Sequence, residues 1–320
     1  MKVATRAVRI AAKVAEARDI CSFTLVSPDG EMLPPFSAGS HIDVHLADGI
    51  VRQYSLCNSP AERHQYQIAV LLDPNSRGGS TAMHALAVGQ LIEISDPKNH
   101  FPLTHDARHS VLLAGGIGVT PILCMAERLA SINASFEFHY CSRSIERTAF
   151  PGRIRDSSFA DRVQIHYDDG PHQQKLDLRA TLADPQGGTH LYVCGPTGFM
   201  DWVLESARTA GWPEDRLHRE YFAAIPIDTS SDGSFEVQIA STGAVIRVEP
   251  DQTVLAALTS HGVEIPTSCE QGVCGACLTR ILDGEPDHRD LFLTPDEQAR
   301  GDQFTPCCSR AKSARLVLDL

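Results

Sequence analysis

Several features are absent from this 320-residue sequence, and their absence narrows what the protein can do. No apolar run approaches the roughly 18 to 20 residues of a membrane-spanning helix, and the N-terminus lacks the apolar region of a signal peptide. We therefore expect a cytoplasmic protein without a membrane partner. The chain also lacks a basic block. Its formal net charge of −12 argues against nucleic acid as a partner, because phosphates need cations to neutralise them.

Cysteine is too sparse for a secreted disulfide scaffold, with 10 residues in 320. Four of them nevertheless follow a specific spacing. Cys269, Cys274 and Cys277 are spaced C-x4-C-x2-C, and Cys307 follows after 29 intervening residues. This is the plant-type spacing in which four thiolates hold a [2Fe-2S] cluster. Because such a cluster needs reduced thiolates, the spacing also favours a reducing compartment.

The residues between these cysteines are small, as a loop that wraps closely around a cluster requires: Gly272, Gly275 and Ala276. Two alternatives remain. Buried or disulfide-bonded cysteines account poorly for the spacing, and a structural zinc site usually uses a short cysteine pair on both sides. Because Cys307 and Cys308 are adjacent, either could be the fourth ligand. The spacing selects Cys307, with Cys308 as a packed neighbour.

Residues 6–105 alternate short apolar strands with turns that contain Gly and Pro, which predicts an antiparallel barrel or sandwich. Two stretches in this region suit phosphate binding. Arg77-Gly-Gly-Ser80 precedes a predicted helix over 81–86, and a helix start offers free N–H groups and a positive dipole end. Arg52, in Arg52-Gln-Tyr-Ser55-Leu56, can add a charge-assisted contact to the same phosphate. Each stretch alone is weak evidence, since Gly-Gly-Ser commonly forms only a turn and a cap.

From Ser110 onward, apolar strands alternate with helices, which predicts a parallel α/β sheet. The first strand runs into Gly115-Gly-Ile-Gly118-Val-Thr-Pro121 before a predicted helix over 122–131, so a pyrophosphate can approach the backbone at the helix N-terminus. The G-x-G-x-x-G fingerprint of a Rossmann unit is absent. A later strand ends in Cys194-Gly-Pro-Thr-Gly198, where ligands of open α/β sheets bind. Cys194 also fits the role of a buried small hydrophobe.

Residues 223–234 are small, polar and turn-rich, which indicates a linker. Beyond them, the alternating segments 235–240 and 244–248 predict a hairpin. Residues 253–261 predict an amphipathic helix that is capped by Thr253 or Asp251. A hairpin, a helix and a cysteine loop in this order resemble the β-grasp domain of plant-type ferredoxins.

These motifs together resemble the phthalate dioxygenase reductase family, and within it the reductases of vanillate-demethylase type, over essentially the whole chain. The resemblance implies three domains: an antiparallel flavin-binding β-barrel at 1–105, a parallel α/β nicotinamide-binding domain at 106–226 and a C-terminal β-grasp ferredoxin domain at 234–320. It implies FMN, NADH and a [2Fe-2S] cluster as cofactors. FMN is preferred to FAD because the chain offers no extra segment to hold an adenylate.

The resemblance also assigns roles to individual residues. Ser55 is placed at the reactive N5 edge of the flavin, Cys194 beside the nicotinamide, and Phe222 against the flavin face, with Tyr221 as the alternative. The implied cofactor contacts are Arg52, Tyr54, Ser55, Val70, Gly79, Ser80, Gly115, Gly116, Gly118, Thr120, Pro121, Ser142, Arg143, Cys194, Gly195, Pro196 and Phe222. A guanidinium at Arg143 can favour NADPH, but it can equally be solvated, and the family prefers NADH.

The implied function is that of a reductase component. Electrons pass from NADH through the flavin and the cluster to a separate Rieske-type oxygenase that acts on aromatic acids. A separate oxygenase is required because nothing in the sequence resembles a Rieske ligand set, and the 14 histidines are scattered along the chain. Two alternatives come from other classes. One is a stand-alone NADH-dependent flavin reductase or oxidase, and the other is a redox-sensing binding module, which the nicotinamide-binding turn disfavours.

Overall fold

A computed structural model describes residues 5–183, 187–222, 229 and 232–320. The chain divides into two compact units, one of Ala4–Phe222 and one of Ala223–Leu320 with Met1–Val3. Most of the predicted linker, 223–234, lies outside the described residues. Within the described ranges, no helix combines the length and the apolar character that crossing a membrane demands.

The first part of the larger unit is an antiparallel sheet with one short helix. Its elements are β1 (Thr5–Ala17), β2 (Ile20–Val26), β3 (Ser40–His45), β4 (Val51–Ser55), β5 (Gln65–Leu71), α1 (Gly79–Ala85), β6 (Leu91–Ser95) and β7 (Lys98–Asn99). The strand order is β4-β3-β6-β1-β2-β5, and β7 pairs with β3. The ladder does not close into a complete barrel: the two end strands meet through one isolated bridge, Leu56 to Ile68. The predicted antiparallel architecture is thus confirmed, although its closure is limited to that bridge.

Side-chain alternation explains which residues of this sheet face its hydrophobic core. In β5, Tyr66, Ile68 and Val70 point into the core of the antiparallel sheet, as a period of two requires. On the other face, Gln67 is more exposed, whereas Ala69 is buried in a second core that includes α2. Helix α1 begins two residues before the predicted start at 81, because Gly78 adopts φ +87 and turns the chain inward at that point. Glycine reaches this left-handed conformation without steric cost.

The second part of the larger unit is a parallel sheet flanked by helices. Its elements are β8 (His109–Gly115), α2 (Val119–Ser131), β9 (Phe136–Ser142), α3 (Pro151–Arg155), β10 (Val163–Tyr167), α4 (Leu178–Thr181), β11 (Thr189–Cys194), α5 (Thr197–Thr209) and β12 (Leu217–Glu220). The strand order is β10-β9-β8-β11-β12, and every pairing is parallel, as predicted. Pro121 is the third residue of α2, where its missing N–H removes no bond, because the first N–H groups of a helix have no internal acceptor.

The order of this sheet reverses between β8 and β11. The chain proceeds from β8 to β9 and β10 on one side, and then returns to place β11 on the other side of β8. Loops that leave two neighbouring parallel strands in opposite directions open a crevice beyond their carboxyl ends. The two glycine-containing motifs, after β8 and after β11, therefore face each other across this crevice.

The smaller unit is a five-stranded mixed sheet with a two-stranded sheet beside it. Its elements are β13 (Phe235–Ile239), β14 (Val245–Val248), α6 (Val254–Ser260), β15 (Thr279–Asp283), β16 (Pro286–Asp287), α7 (Pro295–Arg300), β17 (Gln303–Phe304), β18 (Arg310–Ala311) and β19 (Arg315–Leu318). The order is β14-β13-β19-β15-β17, with β16 paired to β18. The predicted hairpin is β13–β14. The Thr253 side chain caps α6 by accepting from the Ala256 N–H at 3.1 Å.

Candidate functional site

Glycine at three positions lets the two loops of the crevice touch. A Cβ added to Gly118 would collide with the Cys194 carbonyl oxygen, and one added to Gly195 would lie 2.9 Å from the Gly115 Cα. A Cβ on Gly115 would meet the Phe199 ring at 2.8 Å. These glycines therefore allow the turn after β8 to pack directly against the turn after β11. The sequence pattern does not reveal this packing role.

Gly116 differs from its neighbours, since it has φ +54 and nothing lies within 4 Å of its Cβ position. Its backbone is thus open to an approaching group at the start of α2. Thr120 is buried, and its hydroxyl donates to the Ile117 carbonyl at 3.1 Å, which fixes the turn. Exposed backbone at the start of a 13-residue helix suits an anionic group such as a pyrophosphate.

Three residues that lie far apart in the sequence converge beside this crevice. The Ser55 hydroxyl, at the end of β4, donates to Oε2 of Glu220 at 3.0 Å. Glu220 ends β12 and is paired in register with Cys194 at the end of β11. Ser55 and Cys194 are sequence-predicted site residues, and the structure brings them together through Glu220. No sequence motif marks Glu220. It is, however, a carboxylate at the carboxyl end of a parallel strand, where ligand-binding sites of α/β sheets form.

Burial sets the protonation of this group of residues. It raises the pKa of the Glu220 carboxyl to about 7, against the Ser55 hydrogen bond, which lowers it. Burial first, and the neighbouring Glu220 second, raise the pKa of the Cys194 thiol well above its usual range. The fully buried Cys194 is therefore a neutral thiol near neutral pH, unlike a nucleophilic cysteine, which needs a lowered pKa.

The predicted phosphate residues meet at the start of α1. The Arg52 side chain crosses Gly79, where an added Cβ would lie 2.6 Å from its Nε. The Arg52 guanidinium donates to the Arg77 carbonyl at 3.0 Å, and the Ser80 hydroxyl accepts from the Asp73 N–H at 3.2 Å. The guanidinium of Arg52 and the hydroxyl of Ser80 thus both lie at the start of α1.

Two further predicted flavin residues have different surroundings. Tyr54 is partly buried against the core of the antiparallel sheet, and that burial raises the pKa of its phenol above the usual range. Val70 is 2% exposed and is part of the core itself. Its side chain therefore packs in the core of the sheet. A ligand at this position can contact only the backbone of Val70 or the edge of its side chain.

The aromatic candidates at the end of the larger unit are also distinct. Phe222 is 39% exposed, whereas Tyr221 packs against the core between the parallel sheet and α5. An exposed ring is free to cover a ligand, and a packed ring is not. This difference supports the choice of Phe222 over Tyr221.

A cavity of about 1330 Å³ opens beside the ends of β9 and β10. Its lining includes Cys141 and Asp168 at those strand ends, and Phe199 and Trp202 of α5. The two aromatic rings are 6.2 Å apart, and Trp202 is 47% exposed. An aromatic wall with a carboxylate at a strand end suits a nucleoside, whose base stacks and whose ribose donates hydrogen bonds.

Ser142 and Arg143 follow β9 at this end of the sheet. Ser142 is buried, and its hydroxyl is hydrogen-bonded to the Thr148 hydroxyl at 2.7 Å. Arg143 is exposed, and its guanidinium has no hydrogen-bonding or ionic partner within the described parts of the chain. The Asp168 N–H donates to the Ser142 carbonyl at 3.0 Å, so the acidic residue lies directly beside this pair. The sequence analysis did not select Asp168.

In the smaller unit, the four predicted cluster ligands are buried in one loop region. Their exposed fractions are between 4% and 8%: Cys269, Cys274, Cys277 and Cys307. Cys269 contacts Cys274, Cys277 contacts Cys307, and Cys307 also contacts the neighbouring thiol of Cys308. The hydrogen bond from Cys274, with those from backbone N–H groups, holds the pKa of Cys269 below its usual range, and the same contact raises the pKa of Cys274. Thiolate character is what an iron ligand needs.

Backbone N–H groups also point at the sulfurs. The Gln271 N–H donates to the Cys269 sulfur at 3.3 Å, and the Ala276 N–H donates to the Cys274 sulfur at 3.4 Å. Hydrogen bonds to sulfur are one of the factors that set the potential of an iron–sulfur cluster. The loop can make them because it turns through Gly272 and Gly275, which have φ +71 and +67.

Cys308 lies behind the loop. A Cβ on Gly272 would collide with the Cys308 sulfur, which is hydrogen-bonded to the Thr305 hydroxyl at 3.3 Å. Cys308 thus packs against the loop backbone, and its thiol also contacts that of Cys307.

The donor set fits a [2Fe-2S] cluster. Cys269, Cys274, Cys277 and Cys307 would supply the four thiolates that such a cluster needs, and the N–H groups would complement the negative charge on the sulfurs. Within the described ranges, no three His, Cys, Asp or Glu side chains are grouped to hold a single metal ion.

Comparisons with known proteins agree with this arrangement. Residues 237–312 match the family of 2Fe-2S iron-sulfur cluster binding domains. Residues 95–217 match the N-terminal domain of the family described as dimethylamine monooxygenase subunit DmmA-like. The two matches cover, respectively, the four-cysteine loop and the parallel sheet.

Relatives cover almost the full chain. The sequence is 60% identical to a vanillate O-demethylase oxidoreductase of Pseudomonas putida over 95% of this chain and 96% of that protein. It is 58% identical to a protein of the same name from Pseudomonas sp. strain HR199, with the same coverage. Among solved structures, phthalate dioxygenase reductase superposes with a TM-score of 0.76 and 39% identity over 99% of this chain and 98% of that one. That structure is described as a modular structure for electron transfer from pyridine nucleotides to [2Fe-2S].

Proposed function

Because the chain belongs to the phthalate dioxygenase reductase family, which includes the vanillate O-demethylase oxidoreductases, we propose that it is the reductase component of a two-component aromatic oxygenase or demethylase. It takes electrons from NADH and delivers them through FMN and a [2Fe-2S] cluster to a separate Rieske-type oxygenase. One observation carries the proposal: a single chain contains both the crevice formed by Ser55, Cys194 and Glu220 and a loop with four buried thiols.

When bound, FMN accepts a hydride from NADH and the cluster accepts electrons one at a time, so the cofactors supply the redox chemistry. The protein supplies position. Arg52, Gly79 and Ser80 hold the phosphate of FMN at the start of α1. Ser55, whose hydroxyl donates to Glu220, lies at the reactive edge of the ring. Gly116 receives the pyrophosphate of NADH, and Phe222 covers the flavin face.

The three functions correspond to three segments of the chain. Residues 1–105 bind FMN, residues 106–226 bind NADH, and residues 234–320 hold the cluster through Cys269, Cys274, Cys277 and Cys307. We place the protein in the cytoplasm, because iron–thiolate clusters are assembled and kept in a reducing compartment. The ten cysteines are all free in the structure, which agrees with that environment.

The nucleotide is NADH rather than NADPH. The cavity beside β9 and β10 accommodates the adenosine, and its Asp168 carboxylate is placed to accept hydrogen bonds from the ribose hydroxyls. A 2′-phosphate would be repelled by that carboxylate, whereas exposed Arg143 would attract it. Steady-state kinetics with both nucleotides test the assignment, and a preference for NADPH would overturn it.

The test of the electron path is Cys274→Ser, with Cys21→Ser as the control, because Cys21 lies in β2 of the other unit. NADH oxidation is assayed with ferricyanide, which accepts electrons from the flavin, and with cytochrome c, which needs the cluster. We expect Cys274→Ser to keep ferricyanide reduction and to lose cytochrome c reduction, while Cys21→Ser keeps both. Equal retention of both activities in Cys274→Ser would identify a stand-alone flavin reductase instead. A purified protein with cluster absorbance but no NADH-dependent bleaching would indicate a redox-sensing module.

A further inference from the structure

We propose that Arg153 is a positioning residue for hydride transfer, because its guanidinium links the segment that follows Ser55 to the helix that follows the nicotinamide-binding turn. This inference rests on the proposed function. Arg153 lies on the short helix α3, which belongs to neither cofactor motif. Its side chain is only 25% exposed, although it carries a charge.

The guanidinium makes contacts in two directions. Toward helix α2, Nε and Nη2 donate to Oε1 of Glu127 at 2.9 and 2.6 Å. Toward the antiparallel sheet, Nη1 donates to Oε1 of Gln67 at 2.7 Å, and Nη2 donates to the Cys57 carbonyl at 2.7 Å. Each of the three guanidinium nitrogens is therefore used, and the acceptors come from three different segments of the chain.

The contacts on the sheet side hold the backbone next to Ser55. Cys57 is two residues beyond Ser55, and its N–H donates to the Gln67 carbonyl at 2.8 Å. The bridge between Leu56 and Ile68, which joins the end strands of the sheet, lies at the same point. Arg153 thus holds the Cys57 carbonyl and the Gln67 side chain by hydrogen bonds, at the point where the chain after β4 meets β5.

The contact on the helix side reaches the nicotinamide-binding turn. Glu127 lies on α2, which begins at Val119 directly after the glycine turn. Its side chain is 18% exposed, and a carboxylate this buried needs its cation. A helix is stiff over two turns, so fixing Glu127 also fixes the start of α2, where NADH is bound.

Arginine is suited to this task because its planar fork donates several hydrogen bonds in fixed directions, whereas lysine donates from one flexible point. The donor and acceptor of a hydride must approach to within a few tenths of an ångström of the productive distance. A misplacement of about 1 Å costs on the order of 100-fold in rate. We therefore attribute the alignment of the antiparallel sheet with helix α2 to these contacts of Arg153.

The test compares Arg153→Lys with Arg155→Ala in the FMN-loaded protein. Arg155 lies on the same helix, is 75% exposed and, within the described residues, is paired only with Asp156, so its loss is a matched control. Anaerobic stopped-flow mixing with NADH measures the limiting rate of flavin reduction and the Kd of NADH. We expect Arg153→Lys to lower the limiting rate by about 10- to 100-fold and to change the Kd by less than about threefold. Arg155→Ala is expected to match the wild type.

A second readout does not depend on activity. Hydrogen exchange followed by mass spectrometry measures the protection of peptides that contain Cys57 and of peptides that contain Glu127. We expect Arg153→Lys to increase exchange in both segments and Gln67→Leu to increase it only in the first. Unchanged exchange in both, or a normal limiting rate in a folded Arg153→Lys protein, overturns the proposal. If NADH does not reduce the flavin of the wild-type protein, the proposed function itself fails instead.

Discussion

The Ser55 hydroxyl donates a hydrogen bond of 3.0 Å to the Glu220 carboxylate across 165 residues of sequence. The bond joins the last residue of β4, in the antiparallel sheet, to the last residue of β12, in the parallel sheet. It is therefore a direct link between the half of the unit that we assign to the flavin and the half that we assign to NADH. The carboxyl has a pKa of about 7, so the link changes charge in the physiological range.

The first prediction concerns Glu220→Gln. In the proposed site the arriving hydride adds negative charge near this carboxyl, so an ionised Glu220 would oppose its transfer. We expect the rate of flavin reduction by NADH to fall as the pH rises through about 7 in the wild type, and we expect this step to vanish in Glu220→Gln. Single-turnover rates between about pH 5.5 and 8.5 measure it.

Stability supplies the control for this variant. A folded pKa raised above its unfolded value means that the wild type loses stability as the pH rises from near 4.5 through about 7, because the buried carboxyl must ionise. Glu220→Gln cannot ionise, so its advantage over the wild type should be larger at pH 8 than at pH 5. A pH profile of flavin reduction that keeps its step in Glu220→Gln would assign the titration to another group.

The second prediction concerns Ser55→Ala. The Ser55 hydrogen bond lowers the pKa of Glu220, so its removal should move the step in the rate profile upward. A hydrogen bond to a charged group corresponds to about one pH unit. The limiting rate should also fall if the hydroxyl orients the reactive edge of the ring, as we propose. If the rate falls but the step stays in place, Ser55 acts on the flavin without acting on Glu220.

Much of the architecture was predictable because it is encoded by local patterns. The period-two alternation around Tyr66 predicts a strand, and the run from Ser110 to Pro121 predicts a buried strand followed by a helix start. The cysteine spacing predicts the ligands because a cluster fixes the distances between its four thiolates. Such signals lie within a few residues of one another, so one sequence is enough to detect them.

The side chains that connect the motifs were not predictable in the same way. Glu220 and Arg153 are polar residues without a sequence signature, and their partners are separated from them by dozens of residues or more. Only tertiary packing shows that they are buried beside Ser55 and Cys57. Likewise, the sequence indicated that Gly115 and Gly118 serve a ligand, whereas the structure shows that they also prevent a clash between two loops.

The third prediction concerns Gly275→Ala in the cluster loop. Gly275 has φ +67, and an added Cβ would collide with the Phe292 ring. Gly262 is the matched control, because it has φ +76 but nothing within 4 Å of its Cβ position. Gly262→Ala should cost about 1–2 kcal/mol of stability from backbone strain alone. Gly275→Ala should in addition lower the iron and sulfide content per chain, and Phe292→Ala should partly restore that content.

The fourth prediction separates the two adjacent cysteines. Cys307 contacts Cys277, whereas Cys308 packs against Gly272 and is hydrogen-bonded to Thr305. Cys307→Ala should therefore remove the cluster, since an iron loses one of its two thiolates, and Cys308→Ala should retain it. The assay is visible absorbance with iron analysis of each purified variant. Cluster loss in Cys308→Ala together with retention in Cys307→Ala would exchange the two assignments.

The fifth prediction concerns a buried ion cluster at the start of the smaller unit. The Asp232 carboxylate is 4% exposed and accepts two hydrogen bonds from Arg289, at 2.6 and 2.9 Å, while Arg310 lies 3.4 Å away. Asp232→Asn leaves the buried Arg310 without this counter-charge and Arg289 with only Asp287 as its carboxylate partner. We expect this loss to cost about 3–5 kcal/mol. Denaturant unfolding followed by the visible circular dichroism of the cluster should show that loss. Arg247→Ala breaks an exposed pair with Glu249 and should change stability by less than about 1 kcal/mol. Equal effects of the two variants would mean that burial adds nothing to the strength of the Asp232 cluster.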